Sequence, residues 1–251
     1  MIITSKNNAL VKETAALKEK KARKGLGLFL VEGVKMTREC LESNFEIERV
    51  FLAESYHGDA SEFPAEKLVV VSDDVFRFLS DEKTPQGVLC RVKIPKRALQ
   101  APKASCLFLD GVADPANVGA IIRTANAAGY NEIYLTPNCA DPYSPKSVRA
   151  SMSGLFFTKL YMGERAEILS VLKDTPILAA DMQGENAFTF TPPEKFALAI
   201  GNEANGISTE TEQAAKGVVK IPMSPTQESL NAAVSAGILM YLLKKGSFEK
   251  L

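Results

Sequence analysis

From residue 105 onward, short apolar runs alternate with longer stretches of helical periodicity, and this alternation limits the possible folds more than any other feature of the chain. The runs at 106–109, 132–135, 155–161, 177–180, 196–200 and 218–221 read as strands. Between them, 115–128, 145–152, 165–173, 209–215 and 229–244 read as helices. Such repetition predicts an α/β class fold with a mostly parallel sheet and helices on both faces. Ligands of these sheets bind beyond the carboxyl ends of the strands, so the loops there are where chemistry is expected. No internal repeat or low-complexity segment is visible.

The front of the chain reads as a separate small α/β unit. Residues 6–23 have the pattern of a helix that ends in a lysine-rich run and is stopped by Gly25. Strands at 28–31, 49–53, 69–71 and 87–92 and helices at 35–41 and 73–79 follow. The stretch 94–105 carries prolines and basic residues and few large apolar ones, which is a linker signature. The expected organisation is a unit over 1–95, a linker over 96–104 and a second domain over 105–251.

Composition excludes several classes. Hydrophobic residues make up 46% and charged residues 24%, a globular profile. The longest apolar stretch, 232–243, is broken by Ser235 and Gly237 and is too short to span a bilayer. Residues 1–10 show no basic-then-apolar export pattern, so a cytoplasmic protein with no membrane partner is expected. The four cysteines, Cys40, Cys90, Cys106 and Cys139, lack metal-ligand spacing, and His57 is the single histidine. Neither a zinc site nor a Ser-His-Asp triad has support, and no metal is expected.

Net charge is zero, yet residues 1–35 carry eight Lys/Arg against three Asp/Glu, while 101–251 carry 13 against 15. A local basic patch is what phosphate binding requires. Lys20, Lys21, Arg23 and Lys24 read equally well as RNA phosphate contacts or as a solvated helix end stabilised by its dipole.

Three loops stand out. In DPANVGAIIRTA at 114–125, Asp114 before Pro115 is an N-cap and first-turn pair, and Val118, Ile121, Ile122 and Ala125 form an apolar stripe. Asn117 lies in the first turn and Arg123 on the opposite side of the helix, which alone fits an ordinary crossover helix. The loop IGNEANGIS at 200–208 has the two glycines of a P-loop, but Ile207 stands in place of its lysine, so a nucleoside triphosphate site is not supported. Nor does G-x-G-x-x-G follow any strand. The third segment runs from IPM at 221–223 to ESLN at 228–231, where Ser229 and Asn231 either cap the last helix or hold a ligand.

In this order and spacing the three loops resemble the motifs of the SpoU family of RNA ribose methyltransferases, within the trefoil-knotted SPOUT class. PYSPKSVRAS at 142–151 also fits, and FLVEG at 29–33 and TPQG at 84–87 resemble the family's N-terminal RNA-binding domain, related to a ribosomal-protein fold. The resemblance implies S-adenosylmethionine as cofactor, a C-terminal knot, a homodimer, and 2′-O-methylation of structured RNA. Ribosomal RNA is favoured over transfer RNA, and a non-catalytic RNA-binding relative is the alternative class. By the same resemblance Asn117, Arg123, Glu203, Ser229 and Asn231 are the catalytic set. Thr136, Gly201, Ile221 and Leu230 hold the cofactor, and Arg149 joins the N-terminal basic residues on RNA. Pro225 stands where the family commonly has glycine, and proline fixes φ and removes an N–H.

Overall fold

A computed structural model, which describes residues 2–227 and 229–248, divides the strands between two sheets. The first holds β1 (Ile2–Ile3), β2 (Leu28–Glu32), β3 (Ile47–Ala53), β4 (Leu68–Val71) and β5 (Val88–Lys93), in the order β1-β4-β3-β5-β2. β1 and β3 run parallel to β4, whereas β2 and β3 run antiparallel to β5. Its helices are α1 (Ala9–Ala16), α2 (Lys20–Leu26), α3 (Val34–Glu42) and α4 (Asp73–Leu79).

The single helix expected over 6–23 is therefore two. Leu17 is fully buried at the break, and the Arg23 guanidinium donates to the carbonyls of Leu17 and Lys18 at 2.8 and 2.7 Å. Those carbonyls, left over at the end of α1, find their donor in a side chain from the next helix. The stop is Gly27, not Gly25, because Gly27 takes the left-handed φ of +67° that closes α2.

The second sheet holds β6 (Cys106–Asp110), β7 (Glu132–Leu135), β8 (Lys159–Met162), β9 (Ile177–Asn186), β10 (Ala197–Gly201) and β11 (Gly217–Lys220). Their order is β11-β9-β10-β6-β7-β8 and every pairing is parallel. The helices are α5 (Pro115–Ala127), α6 (Pro145–Ser151), α7 (Gly154–Phe157), α8 (Arg165–Val171), α9 (Thr209–Ala214), α10 (Ala232–Leu243) and α11 (Lys245–Phe248). One face of the sheet buries Leu107, Leu109, Ile133 and Leu198 with Val118, Ile121 and Ile122 of α5. The other buries Phe108, Tyr134 and Tyr161 with Ile168 and Leu172. Each such side chain contributes about 1.5–3 kcal/mol of burial. The strand expected at 155–161 starts only at Lys159, since 154–157 coil into one helical turn. That turn places Phe156 against Phe45 of the first domain, with ring centroids 5.5 Å apart.

The two sheets share a seam. Phe29 meets Tyr143 at 5.0 Å, Arg23 pairs with Asp141 at 2.7 Å, and Arg149 pairs with Asp81 and Glu82 at 3.1 and 2.9 Å. The segment expected as a linker has no helix or strand, yet it is a strap bound to β7 of the second sheet. The Tyr134 hydroxyl donates to the Gln100 carbonyl at 2.8 Å, and the Lys103 N–H donates to Glu132 at 2.8 Å.

Candidate active site

At the carboxyl ends of β6 and β10 the chain makes two turns that interlock. β6 ends in Asp110, which is buried and accepts from the Ser208 hydroxyl (2.5 Å) and N–H (3.1 Å), the Thr211 hydroxyl (2.7 Å) and Arg165 (2.9 Å). Burial pushes this carboxyl up, but the donors from Ser208, Thr211 and Arg165 outweigh it and hold Asp110 below its usual range. Asp110 thus fastens the turn after β10 to the end of β6. The sequence reading passed over it, although an Asp-Gly pair ending a strand at the ligand edge is a signal that could have marked it.

The turn after β10 closes on itself through Asn202 and Gly206, whose backbone groups exchange hydrogen bonds of 2.8 and 2.9 Å. Gly201 must be glycine here, because a Cβ would collide with the backbone of Gly206 and Ile207. The Asn202 side chain reaches back to the Gly111 carbonyl at 2.8 Å.

Glu203 projects from this turn across to the start of α5. One carboxylate oxygen accepts from the Ala113 N–H at 2.9 Å; the other accepts from the Asp114 N–H at 3.1 Å and the Asn117 side-chain amide at 2.8 Å. Partial burial raises its pKa, but these donors prevail and hold it below the usual carboxylate range. Asp114 caps α5 by accepting from the Ala116 and Asn117 N–H groups at 2.7 and 3.0 Å, and its other oxygen takes Lys146 at 3.0 Å.

The third segment joins through Asn231. Its amide nitrogen donates to the Asn117 carbonyl oxygen at 2.9 Å, while its own oxygen caps α10 at the Ala233 and Val234 N–H groups (2.9 and 3.2 Å). Glu203, Asn117 and Asn231, from three separate loops, thereby form one continuous hydrogen-bonded tie. Ser229 does not cap the helix, because Asn231 occupies that position; the Ser229 carbonyl accepts from Gln227 instead. Glu228 lies outside the described residues.

Below the tie is a cavity of about 430 Å³, lined from β9 by Asp181 and Met182 and from the other two loops by Gly201, Ile221, Ser229 and Leu230. Its volume falls in the roughly 300–1,000 Å³ range of small-molecule sites. Asp181 and Met182 went unnoticed in the sequence because β9 runs past the expected end at 180 to Asn186. Thr136 is a correction. It lies at the end of β7, two strands from β10, and lines a different cavity, with its buried hydroxyl directed to the Leu109 carbonyl.

The expected RNA contacts separate likewise. Arg23 is only 3% exposed and is consumed by Asp141 and two carbonyls, so it does not reach a phosphate. Arg149 faces Asp81 and Glu82 across the seam. Lys20, Lys21 and Lys24 remain exposed. Arg123 is exposed on α5, outside the cavity lining, and has no hydrogen-bond or ion-pair partner among the described residues. Also among the described residues, no group of three metal-ligating side chains gathers, and no helix is long and apolar enough to cross a membrane.

Comparison with known proteins bears directly on this arrangement. The SpoU rRNA methylase family matches residues 104–241, and the MRM3-like substrate binding domain matches residues 8–90. The chain is similar to the 23S rRNA (guanosine(2553)-2′-O)-methyltransferase RlmP of Bacillus subtilis, with 28% identity covering 96% of this chain and 98% of that protein. It is similar to the 23S rRNA (uridine(2479)-2′-O)-methyltransferase of Streptomyces viridochromogenes, at 29% identity over 95% of this chain and 90% of that protein. Among solved structures it resembles the SpoU methyltransferase AviRb of Streptomyces viridochromogenes in complex with the cofactor AdoMet. There the TM-score is 0.88 at 26% identity, covering 96% of this chain and 99% of that one. The three loops that meet at the Glu203–Asn117–Asn231 tie all fall inside the matched span, and the chain belongs to the SpoU rRNA methylase family.

Proposed function

We propose that the chain transfers a methyl group from S-adenosylmethionine to the 2′-hydroxyl of a ribose in 23S ribosomal RNA. The observation that carries this is the tie of Glu203, Asn117 and Asn231 over a cavity built from the turn after β10 and the approach to α10. Gly201, Ile221 and Leu230 line that cavity and would hold the cofactor, with backbone brought close where Gly201 has no side chain. When bound, the sulfonium supplies an activated methyl group, so no metal is needed.

Methyl transfer is an in-line displacement: the O–CH3 bond would form as the S–CH3 bond breaks, the hydroxyl would lose its proton and S-adenosylhomocysteine would leave as the neutral thioether, so alignment is the main demand. The tie fixes the cavity, and Ser229 lies in its wall. Arg123, exposed and unpaired among the described residues, anchors a phosphate beside the reacting ribose, since a guanidinium remains protonated and is a poor base. A phosphate oxygen held there accepts the proton.

The same reading assigns residues 1–95 to RNA binding, 96–104 to the connection and 105–251 to catalysis, with Lys20, Lys21 and Lys24 contacting RNA. The knot is supported by the segment after β11 lining the same cavity as the turn after β10. A homodimer is supported by Val234 and Tyr241, seven residues apart on α10 and 51% and 44% exposed, and by Arg123 standing outside the cavity of its own chain. A cytoplasmic location is the reading that accompanies a 23S ribosomal RNA substrate. The relatives named above act on a guanosine and on a uridine, so the fold alone does not select the base.

The test is transfer of tritiated methyl to unmodified ribosomal and transfer RNA, with Arg123→Ala alongside. Label in ribosomal RNA that blocks alkaline cleavage at one nucleotide, and is lost in the variant, is expected. Label only in transfer RNA would move the substrate. No label, together with no cofactor binding by calorimetry, would leave an RNA-binding relative.

A further inference from the structure

We propose that the seam between the two domains is a pocket for one unpaired nucleotide of the RNA, separate from the cofactor cavity; this rests on the RNA-methylation reading. The seam encloses a cavity of about 450 Å³. Four parts of the chain build it: one face of α2, the strap after β5, the loop after β7 and the loop after β8. Helical spacing sets Lys20, Arg23, Lys24 and Gly27 along the cavity, while Lys21 turns to the other side of α2. Lys96 joins the rim from the strap.

The charge balance favours an anion. Asp141, which also lines the cavity, is neutralised by the buried Arg23. Glu164 is engaged in the capping box of α8. Lys20, Lys24 and Lys96 are exposed, and none has a hydrogen-bond or ion-pair partner among the described residues. In a chain whose net charge is zero, three free ammonium groups around one recess are a local excess.

The walls are suited to a base. Ile94, Pro137 and Met162 line the recess, and Met162 is 49% exposed. Such walls offer van der Waals contact to the flat face of a base, and the lysines offer charge to its phosphates. A base paired within a duplex cannot enter a recess, whereas an unstacked one can be splayed into it. The Arg23–Asp141 pair ties α2 to the loop after β7, two walls of the recess.

Two titrations of the full-length protein test this, using a fluorescein-labelled random-sequence decaribonucleotide and the same pool annealed to its complement. Wild type is expected to bind the single strand more tightly than the duplex. Lys24→Ala/Lys96→Ala, both exposed and unpaired, is expected to keep its melting temperature and weaken single-strand binding. Its slope of log K against log salt should be shallower by about 1.4, for two lost contacts at about 0.7 each. Photo-cross-links from 4-thiouridine in the oligonucleotide should map to peptides 135–143 or 159–164. Unchanged affinity and slope, or cross-links confined elsewhere, would overturn the pocket. Methyl transfer to ribosomal RNA with no seam effect on binding overturns the pocket and leaves the enzyme reading. Seam-dependent binding with no transfer to any RNA overturns the enzyme reading and leaves the pocket.

Discussion

Replacing Glu203 by Gln is the sharpest test of the tie, because it keeps the shape and removes the logic. The carboxylate accepts three hydrogen bonds, one on one oxygen and two on the other. A glutamine offers one acceptor oxygen and one NH2 group. In its best orientation it keeps the Asp114 N–H and the Asn117 amide and turns its NH2 against the Ala113 N–H. One charge-assisted bond is lost outright and the other two lose their ionic character. A hydrogen bond to a charged group is worth about 1.5–3 kcal/mol. Glu203 is exposed, so solvent screening brings the expected cost to roughly 1–2 kcal/mol.

If the tie orders the cavity that receives S-adenosylmethionine, that cost appears as a loss of affinity of about 5- to 30-fold. Calorimetry on the wild type and Glu203→Gln measures it directly, and hydrogen exchange over 202–207 reports the loosened turn. The melting temperature should fall by only a few degrees. Wild-type affinity with unchanged exchange in that turn would refute the reasoning, since the bonds would then contribute nothing to the cavity.

Three further outcomes follow from the same geometry. Gly201→Ala forces a Cβ into the backbone of Gly206 and Ile207, an overpacking cost of about 1–3 kcal/mol, and cofactor binding should vanish in calorimetry while circular dichroism remains native. Glu203 has a folded pKa below its unfolded value, so its stabilisation is complete above the usual carboxylate range near 4 and is lost as pH falls through the folded value. The melting-temperature gap between wild type and Glu203→Gln should therefore begin to narrow as pH falls through about 4 and go on narrowing below it, and a gap that does not narrow with falling pH would count against the assignment. Pro225 occupies the second position of a turn closed by the Gln227 N–H on the Ser224 carbonyl at 3.0 Å, a place where proline is favoured. Pro225→Gly should thus weaken the cofactor by about 2- to 5-fold through a floppier unbound loop, the equivalent of about 0.4–1 kcal/mol, whereas tighter binding would mean the proline obstructs it.

Much of the second sheet was legible in the sequence because strand and helix alternate there, and an alternating chain has few ways to bury both faces. The order of its strands was not, since nothing local states that β10 sits between β9 and β6. The failures have local causes. The apolar run at 155–161 is too short to distinguish a helical turn from a strand by periodicity, and in the structure its first part coils with Phe156 against Phe45. The break before α2 is invisible because lysines favour a helix throughout; Arg23, folding back onto the Leu17 and Lys18 carbonyls, makes the break tolerable. For the same reason Arg23 looked like its exposed neighbours, although a partner 118 positions away had claimed it.

The structure brings Glu203, Asn117 and Asn231 of the expected site together, and their hydrogen bonds account for the two asparagines. Asn117 must donate to Glu203 with one end of its amide and accept from Asn231 with the other. Aspartate lacks the donor and leucine lacks both, whereas a carboxamide supplies donor and acceptor from one planar group. Asn231 is bound in the same way, with its oxygen committed to the start of α10 and its nitrogen to Asn117. Glu203, Asn117 and Asn231 each spend hydrogen-bonding capacity on the tie, so three of the five residues expected to be catalytic help to hold the cavity in shape. The remaining two, Arg123 and Ser229, have side chains with no partner among the described residues. Sequence spacing cannot make this division, because it depends on which hydrogen-bonding ends are occupied after three distant loops have met.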